Sequence, residues 1–207
     1  LGGDKRNTVN QKKTREMKII DTFKLPIAEF VLKENTKLLT KFSRKWAIDH
    51  PTVHLSNKGE GYQSPPLTLD IPELQSLRRE AKRCFNEFRK VFYYDCMFEI
   101  ANMWLNINSP NSYNSQHSHP FSCLSSCFYI ATPEKSGDIT FHNNYPIQCY
   151  MKEEYFTEHG WYNATEWTMP AKENYFYVFP AWFQHSVERN NSSKDRISIS
   201  INAREEK

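Results

Sequence analysis

This chain has no long apolar run. Nowhere in its 207 residues do about 18 apolar residues follow one another, which excludes a membrane-spanning helix. Its opening stretch, LGGDKRNTVNQKKTREMK, lacks the apolar block of a secretory signal. Cysteine is scarce: there are five, an odd number, with no Cys-x-x-Cys pair. A disulfide framework is therefore disfavoured, and all five read as reduced, mostly buried thiols, with Cys123 and Cys127 on one face of a strand. These absences place the protein in the cytoplasm. No charge sign dominates either. Net charge is +3, too small to indicate a nucleic-acid partner. There is no internal repeat and no low-complexity segment.

Aromatic residues are abundant: 14 Phe, 11 Tyr and 5 Trp within an apolar share of 39%. That composition supports a packed interior and excludes wholesale disorder. Residues 1–18 read as a basic, frayed tail. Apolar residues from Ile27 through Phe30, Val31, Leu38, Phe42 and Trp46 have helical spacing. The stretch DHPTVHLSNKGEGYQSPP reads as a long loop. A second helix opens at Pro72, with Asp70 as candidate N-cap, and carries Leu74, Leu77, Ala81, Phe85, Phe88 and Phe92 on one side. Its other side is basic and reads as a solvated face.

After residue 93 the period changes. YYDCMFEIANMWLNIN, SCLSSCFYIA, DITFHN, NYFYVFP and RISISINAR are short, aromatic or β-branched, and bounded by turn formers. Strands in such a series predict a mainly β core, a sandwich or a barrel, preceded by helices. On the last strand, alternation puts Arg196, Ser198, Ser200 and Asn202 on one face and Ile197, Ile199, Ile201 and Ala203 on the other. Two accounts fit: a half-exposed strand with Arg196 in water, or a polar interior with the isoleucines packed under helices.

Seven histidines are present, and three fall in the windows YNSQHSHP and PAWFQHSVERNNSSKDRIS. His117 and His119, two apart on an extended strand, point the same way, as two imidazole ligands of one divalent ion would. His185, on a distant strand, is the candidate third ligand. Trp104, Asn106 and Asn108 alternate before this pair, and Ser125 and Tyr129 follow it. Trp104 reads best as a core aromatic; His142 and His159 read as surface or loop histidines. Loops 49–66 and 144–170 carry Tyr62, Trp161 and Trp167, which read as packing or loop-anchoring residues at a substrate entrance.

The assembled pattern resembles the 2-oxoglutarate- and Fe(II)-dependent oxygenases, in detail the small oxygenases of marine bacteria and their phages. The residues that carry the likeness are WLNINSPNSYNSQHSHP (104–120), LSSCFYIATPEKSGDITFHN (124–143) and FPAWFQHSVERNNSSKDRISISIN (179–202), and more loosely GYQSPPLTLDIPELQSL (61–77). The resemblance implies a double-stranded β-helix (jelly-roll, cupin-like) over residues 94–207, supported by a helical region, 19–93, on its outer face. It implies Fe(II) held by His117, His119 and His185. It implies 2-oxoglutarate gripped by Arg196, with Ser198, Asn106, Ser125 and Tyr129 as further cosubstrate contacts. Dioxygen and an unidentified substrate would complete the reaction, a hydroxylation with release of succinate and carbon dioxide. If the chain is phage-encoded, its compartment is the host cytoplasm. One departure stands out: most of the superfamily has Asp or Glu where this chain has His119. Asp138 could supply the missing carboxylate, or His119 could act from behind a water. Two rival readings remain, a three-histidine cupin-type dioxygenase that needs no 2-oxoglutarate and a non-enzymatic metal- or ligand-binding β barrel. Nucleic acid is a partner only under the second.

Overall fold

The computed structural model describes residues 17–18, 25–53, 57–68, 70–144, 151–160 and 162–206. Most of the N-terminal tail, Cys149 and Trp161 lie outside the described residues.

Among the described residues, two α-helices and eleven strands are arranged as two opposed sheets under a helical layer. The strands are β1 (Ala28–Val31), β2 (Asn57–Lys58), β3 (Tyr62–Gln63), β4 (Phe98–Asn108), β5 (Tyr113–His117), β6 (Leu124–Ala131), β7 (Ile139–His142), β8 (Glu166–Met169), β9 (Tyr175–Pro180), β10 (His185–Val187) and β11 (Arg196–Glu205). The helices are α1 (Thr36–Asp49) and α2 (Gln75–Phe88). The major sheet runs β1-β9-β6-β11-β4-β3 and the minor sheet β2-β5-β10-β7-β8. Every pairing is antiparallel. This is the mainly β core that the strand pattern predicted and the double-stranded β-helix (jelly roll) that the resemblance implied.

α2 covers the outside of the major sheet. Leu77, Ala81, Cys84, Phe85 and Phe88 are buried at three- and four-residue steps, the spacing of one helix face. They join Ile197, Ile199, Ile201 and Ala203 of β11 in one apolar cluster. Each large side chain so buried contributes about 1.5–3 kcal/mol. This settles the two accounts of the last strand: its isoleucines face the helices, so Arg196 and Ser198 turn inward and are buried. The basic side of α2 is solvated and largely paired, through Lys82–Glu206, Arg83–Glu80 and Lys90–Glu87.

Several expectations change. Residues 28–31 form β1, an edge strand on Tyr175–Val178, not the start of a helix. Apolar residues in so short a run suit either period, and α1 begins only after Asn35, whose side chain accepts the Leu38 N–H. Together with β2 and β3, the N-terminal segment adds strands to both sheets as well as helices. Asp70 does not cap α2. A 3-10 turn over Pro72–Leu74 precedes the helix without a side-chain cap, and the Asp70 carboxylate is held by Thr68. The α-helix ends at Phe88, and Phe92 instead closes a 3-10 turn over Arg89–Phe92, which Tyr93 ends in a left-handed conformation (φ 54°). Of the described cysteines, Cys84 and Cys127 are buried, Cys96 is half-buried and Cys123 is exposed.

Candidate metal centre

The minor sheet brings the histidines together. His117 ends β5 and lies directly opposite His185, the first residue of β10. Their rings are 4.4 Å apart. His119 follows two residues later, in a turn tied to the other loop by its backbone N–H, which donates to the Ala181 carbonyl at 2.8 Å. One nitrogen from each imidazole lies within 4.8 Å of the others.

Hydrogen bonds choose the tautomers. His117 Nδ1 faces the Ser115 carbonyl at 2.7 Å and His185 Nδ1 faces the Phe183 carbonyl at 3.0 Å. A carbonyl only accepts, so both Nδ1 atoms carry the proton and both Nε2 lone pairs point into the cleft. Burial disfavours the imidazolium at all three positions. It lowers His117, holds His119 down to about 3 with help from His117, and pushes His185 well below its ordinary value. The three are therefore neutral donors, the form a metal requires. His119 Nε2 and His185 Nε2 are 3.3 Å apart. Two nitrogens about 2.1 Å from a common ion would be about 3.0–3.4 Å apart, so this pair already has the spacing of two ligands of one divalent transition metal, with a His117 nitrogen within 4.8 Å of both.

The same cleft, roughly 440 Å³ with its open mouth, is also lined by Arg196, Ser198, Asn106 and Tyr129. Arg196 is 0% exposed. Its Nη1 donates to the carbonyls of Ser136 at 2.6 Å and Gly137 at 2.8 Å, with Glu188 farther at 3.4 Å. Nε and Nη2, on the other edge, are buried without a partner, as is the Tyr129 hydroxyl. Such bare donors are costly unless a ligand completes them. Two parallel N–H groups match a carboxylate.

Gly137 makes this seat. Its φ is +85°, and a Cβ there would lie 2.6 Å from the Glu188 carbonyl oxygen and 2.8 Å from that of Arg189. Gly137→Ala should therefore destabilise the protein by roughly 1–3 kcal/mol and displace the carbonyls that hold Arg196. A lowered urea midpoint together with weaker carboxylate binding would establish this; an unchanged midpoint would refute it.

The remaining sequence candidates sort as follows. Asn106 donates to Ser200 Oγ at 3.1 Å and leaves its own carbonyl oxygen bare. Ser198 pairs across the ladder with both Asn106 and Tyr129. Ser125 is buried beside Asn202 with its hydroxyl unpartnered, but it does not line the cleft. Asp138 is not near the histidines: its carboxylate accepts from the Ala171 N–H at 2.7 Å, and no carboxylate joins the cluster among the described residues. Trp104 is not a plain core aromatic. It lines the cleft, its ring 5.4 Å from His119. His142 is a surface histidine rather than a loop one: it sits on β7, bonded to Ser186 Oγ at 2.8 Å and Glu166 at 3.0 Å on the outer face of the minor sheet. Tyr62 packs against the major-sheet core.

Phe121 gave no sequence signal. It is fully exposed with φ 68°, in the turn just after His119. A bulky residue rarely adopts that conformation. Trp182, also exposed, stands on the facing loop. Both fall in turns, where no periodicity marks a position.

Residues 102–202 match the family described as "Putative 2OG-Fe(II) oxygenase". No curated protein matches the chain in sequence. Among solved structures, a Pseudomonas putida prolyl-4-hydroxylase superposes with a TM-score of 0.64 at 10% identity, covering 88% of this chain and 94% of that one. The epimerase SnoN of nogalamycin biosynthesis, described as α-ketoglutarate dependent, gives 0.64 at 12% identity over 86% and 78%. A viral collagen prolyl hydroxylase from Paramecium Bursaria Chlorella virus-1, solved with 2-oxoglutarate, gives 0.58 at 10% identity over 86% and 94%. At such identities the likeness is one of fold.

Proposed function

We propose that this chain, whose residues 102–202 match the family described as "Putative 2OG-Fe(II) oxygenase", is an oxygenase binding Fe(II) through His117, His119 and His185 and 2-oxoglutarate through Arg196. The reaction assigned is hydroxylation of an organic substrate. One observation carries the reading: a buried guanidinium with one edge bonded to carbonyls and the other bare, in the same cleft as three neutral imidazoles.

When bound, the iron and its cosubstrate supply an oxidant made from dioxygen as 2-oxoglutarate is converted to succinate and carbon dioxide. The chain's own residues do the rest. The Nδ1–H bonds of His117 and His185 fix those rings, so the donor set is preorganised. Arg196 Nε and Nη2 form a fork for the distal carboxylate, and the Tyr129 hydroxyl, kept protonated by burial, donates a further hydrogen bond. Ser198 lies between them. Asn106 offers an acceptor across the cleft. Ile139, Phe179 and Val187 line the same cleft and exclude water from it. No cosubstrate role is assigned to Ser125. Among the described residues no helix is long and apolar enough to cross a membrane.

The test is anaerobic addition of Fe(II) and then 2-oxoglutarate to the purified protein. A visible metal-to-ligand charge-transfer band is expected, and succinate should form once air is admitted. A metal-loaded protein that gives neither would overturn the reading. Substrate oxidation without succinate would instead favour the cupin-type dioxygenase, and metal binding without any turnover the inert barrel.

A further inference from the structure

On the face of the minor sheet turned away from the histidine cleft, three side chains from three strands meet. Ser186 comes from β10, His142 from β7 and Glu166 from β8. His142 Nε2 lies 2.8 Å from Ser186 Oγ, and its Nδ1 lies 3.0 Å from Glu166 Oε1. A carboxylate only accepts, so Nδ1 carries the proton and Nε2 offers its lone pair to the serine hydroxyl. Ser186 and His142 are half-buried and Glu166 is exposed. Alternation separates the group from the metal centre: Ser186 follows His185 and His142 follows Phe141, both of which are buried. The backbone beside Ser186 is irregular. His185 pairs with His117 but Val187 pairs with Asn114, so Ser115 and Gln116 together face the single residue Ser186. A bulge of this kind re-aims a side chain and recurs beside active sites. Ser186 and His142 border a surface groove of roughly 670 Å³ with its open mouth, lined also by Tyr113, Gln116, Val187 and Arg189. The metal centre uses neither Ser186 nor His142 nor Glu166.

We infer that Ser186, His142 and Glu166 form a second catalytic site, which hydrolyses short-chain carboxylic esters. Nucleophile, base and acid stand in the order and at the hydrogen-bond distances of a serine hydrolase triad. Ser186 Oγ attacks the ester carbonyl carbon while its proton passes to His142 Nε2. The ester C–O bond then breaks, and the alkoxide leaves with that proton while the acyl group stays on Oγ. A water gives a proton to Nε2 as its oxygen attacks the acyl carbon. The carboxylic acid departs and the proton returns to Ser186. Ester and water become acid and alcohol, and no metal, oxidant or cosubstrate takes part. The exposed Gln116 amide borders the groove and is the donor at hand for the carbonyl oxygen as it becomes negative. Glu166 positions His142 through Nδ1, and water screens its charge. The open groove suits a short acyl chain, because it does not enclose a long one.

The experiment uses the whole chain with a chelator present, 4-nitrophenyl acetate as substrate and a biotinylated fluorophosphonate as label. Hydrolysis with an initial burst is expected, and peptide mapping should place the label on Ser186. Ser186→Ala and His142→Gln should each lower kcat/KM by about 100-fold or more and abolish that label. Glu166→Gln should lower kcat by about tenfold with KM unchanged, and Glu166→Asp should recover part of the loss. His159 is exposed and outside the groove, so His159→Gln should change nothing. A parent that takes no label on Ser186, or hydrolyses the ester no faster than Ser186→Ala, overturns the site. Where circular dichroism shows that a variant does not fold, the mapped label on the parent decides alone. Iron uptake by His142→Gln should match the parent, which tells failure of this site apart from failure of the oxygenase reading.

Discussion

Arg196→Met is expected to weaken 2-oxoglutarate binding by about 100- to 10,000-fold while leaving iron affinity nearly unchanged. The side chain is completely buried, and its Nε and Nη2 meet no protein acceptor. A carboxylate there would gain two charge-assisted hydrogen bonds, each contributing about 1.5–3 kcal/mol. Methionine keeps much of the volume and removes both bonds. Arg196→Lys should rescue little. A single ammonium cannot hold the Ser136 and Gly137 carbonyls and also present a planar fork. The measurement is cosubstrate titration of the anaerobic iron complex, with iron content determined in parallel. Equal cosubstrate affinity in parent and methionine variant would remove Arg196 from the proposed site.

His185→Ala is expected to lower affinity for Fe(II), or for Co(II) as a stable stand-in, by more than about 100-fold. Loss of a supporting partner of a metal ligand already costs about 10- to 100-fold, and here one of three donors disappears. His185 is the most buried of the three histidines, and its strand, β10, is held on both sides, by β5, which carries His117, and by β7. His142→Gln is the control. It alters the next strand on the opposite face of the sheet, where His142 meets Ser186 and Glu166, and should leave metal affinity unchanged. Circular dichroism of the metal-free variants separates loss of a ligand from loss of the fold. Retention of parental metal affinity by His185→Ala would contradict the proposed ligand set.

Legibility in the sequence followed the size of the periodic signal. α2 was readable because Leu77, Ala81, Phe85 and Phe88 repeat over three turns. β4, β6, β9 and β11 were readable from their aromatic and β-branched runs between turn formers. β7 was readable too, from DITFHN, but the other short strands were not. β10 has three residues and β2 two, too few to show a period of two, and β1 mimicked the beginning of a helix. Trp104 was misjudged because an aromatic residue on a buried strand has the same pattern whether it packs in a core or lines a cleft. His142, read as a surface or loop histidine, does lie on the outer face of β7, but its partner Glu166 is 24 residues away along the chain and could not be read from the sequence.

The sequence by itself determined which side chains of β11 share a face: Arg196 with Ser198, and the isoleucines opposite them. That much follows from the two-residue repeat of an extended chain. Only the tertiary structure decided which face is inside. Once α2 lies on the isoleucines, the other face of β11 turns toward the minor sheet, and the guanidinium and the imidazoles, up to 79 residues apart in the chain, share one cleft. Alternation is a local property of the backbone. Burial belongs to the packing of separate elements, and no single stretch of sequence contains it.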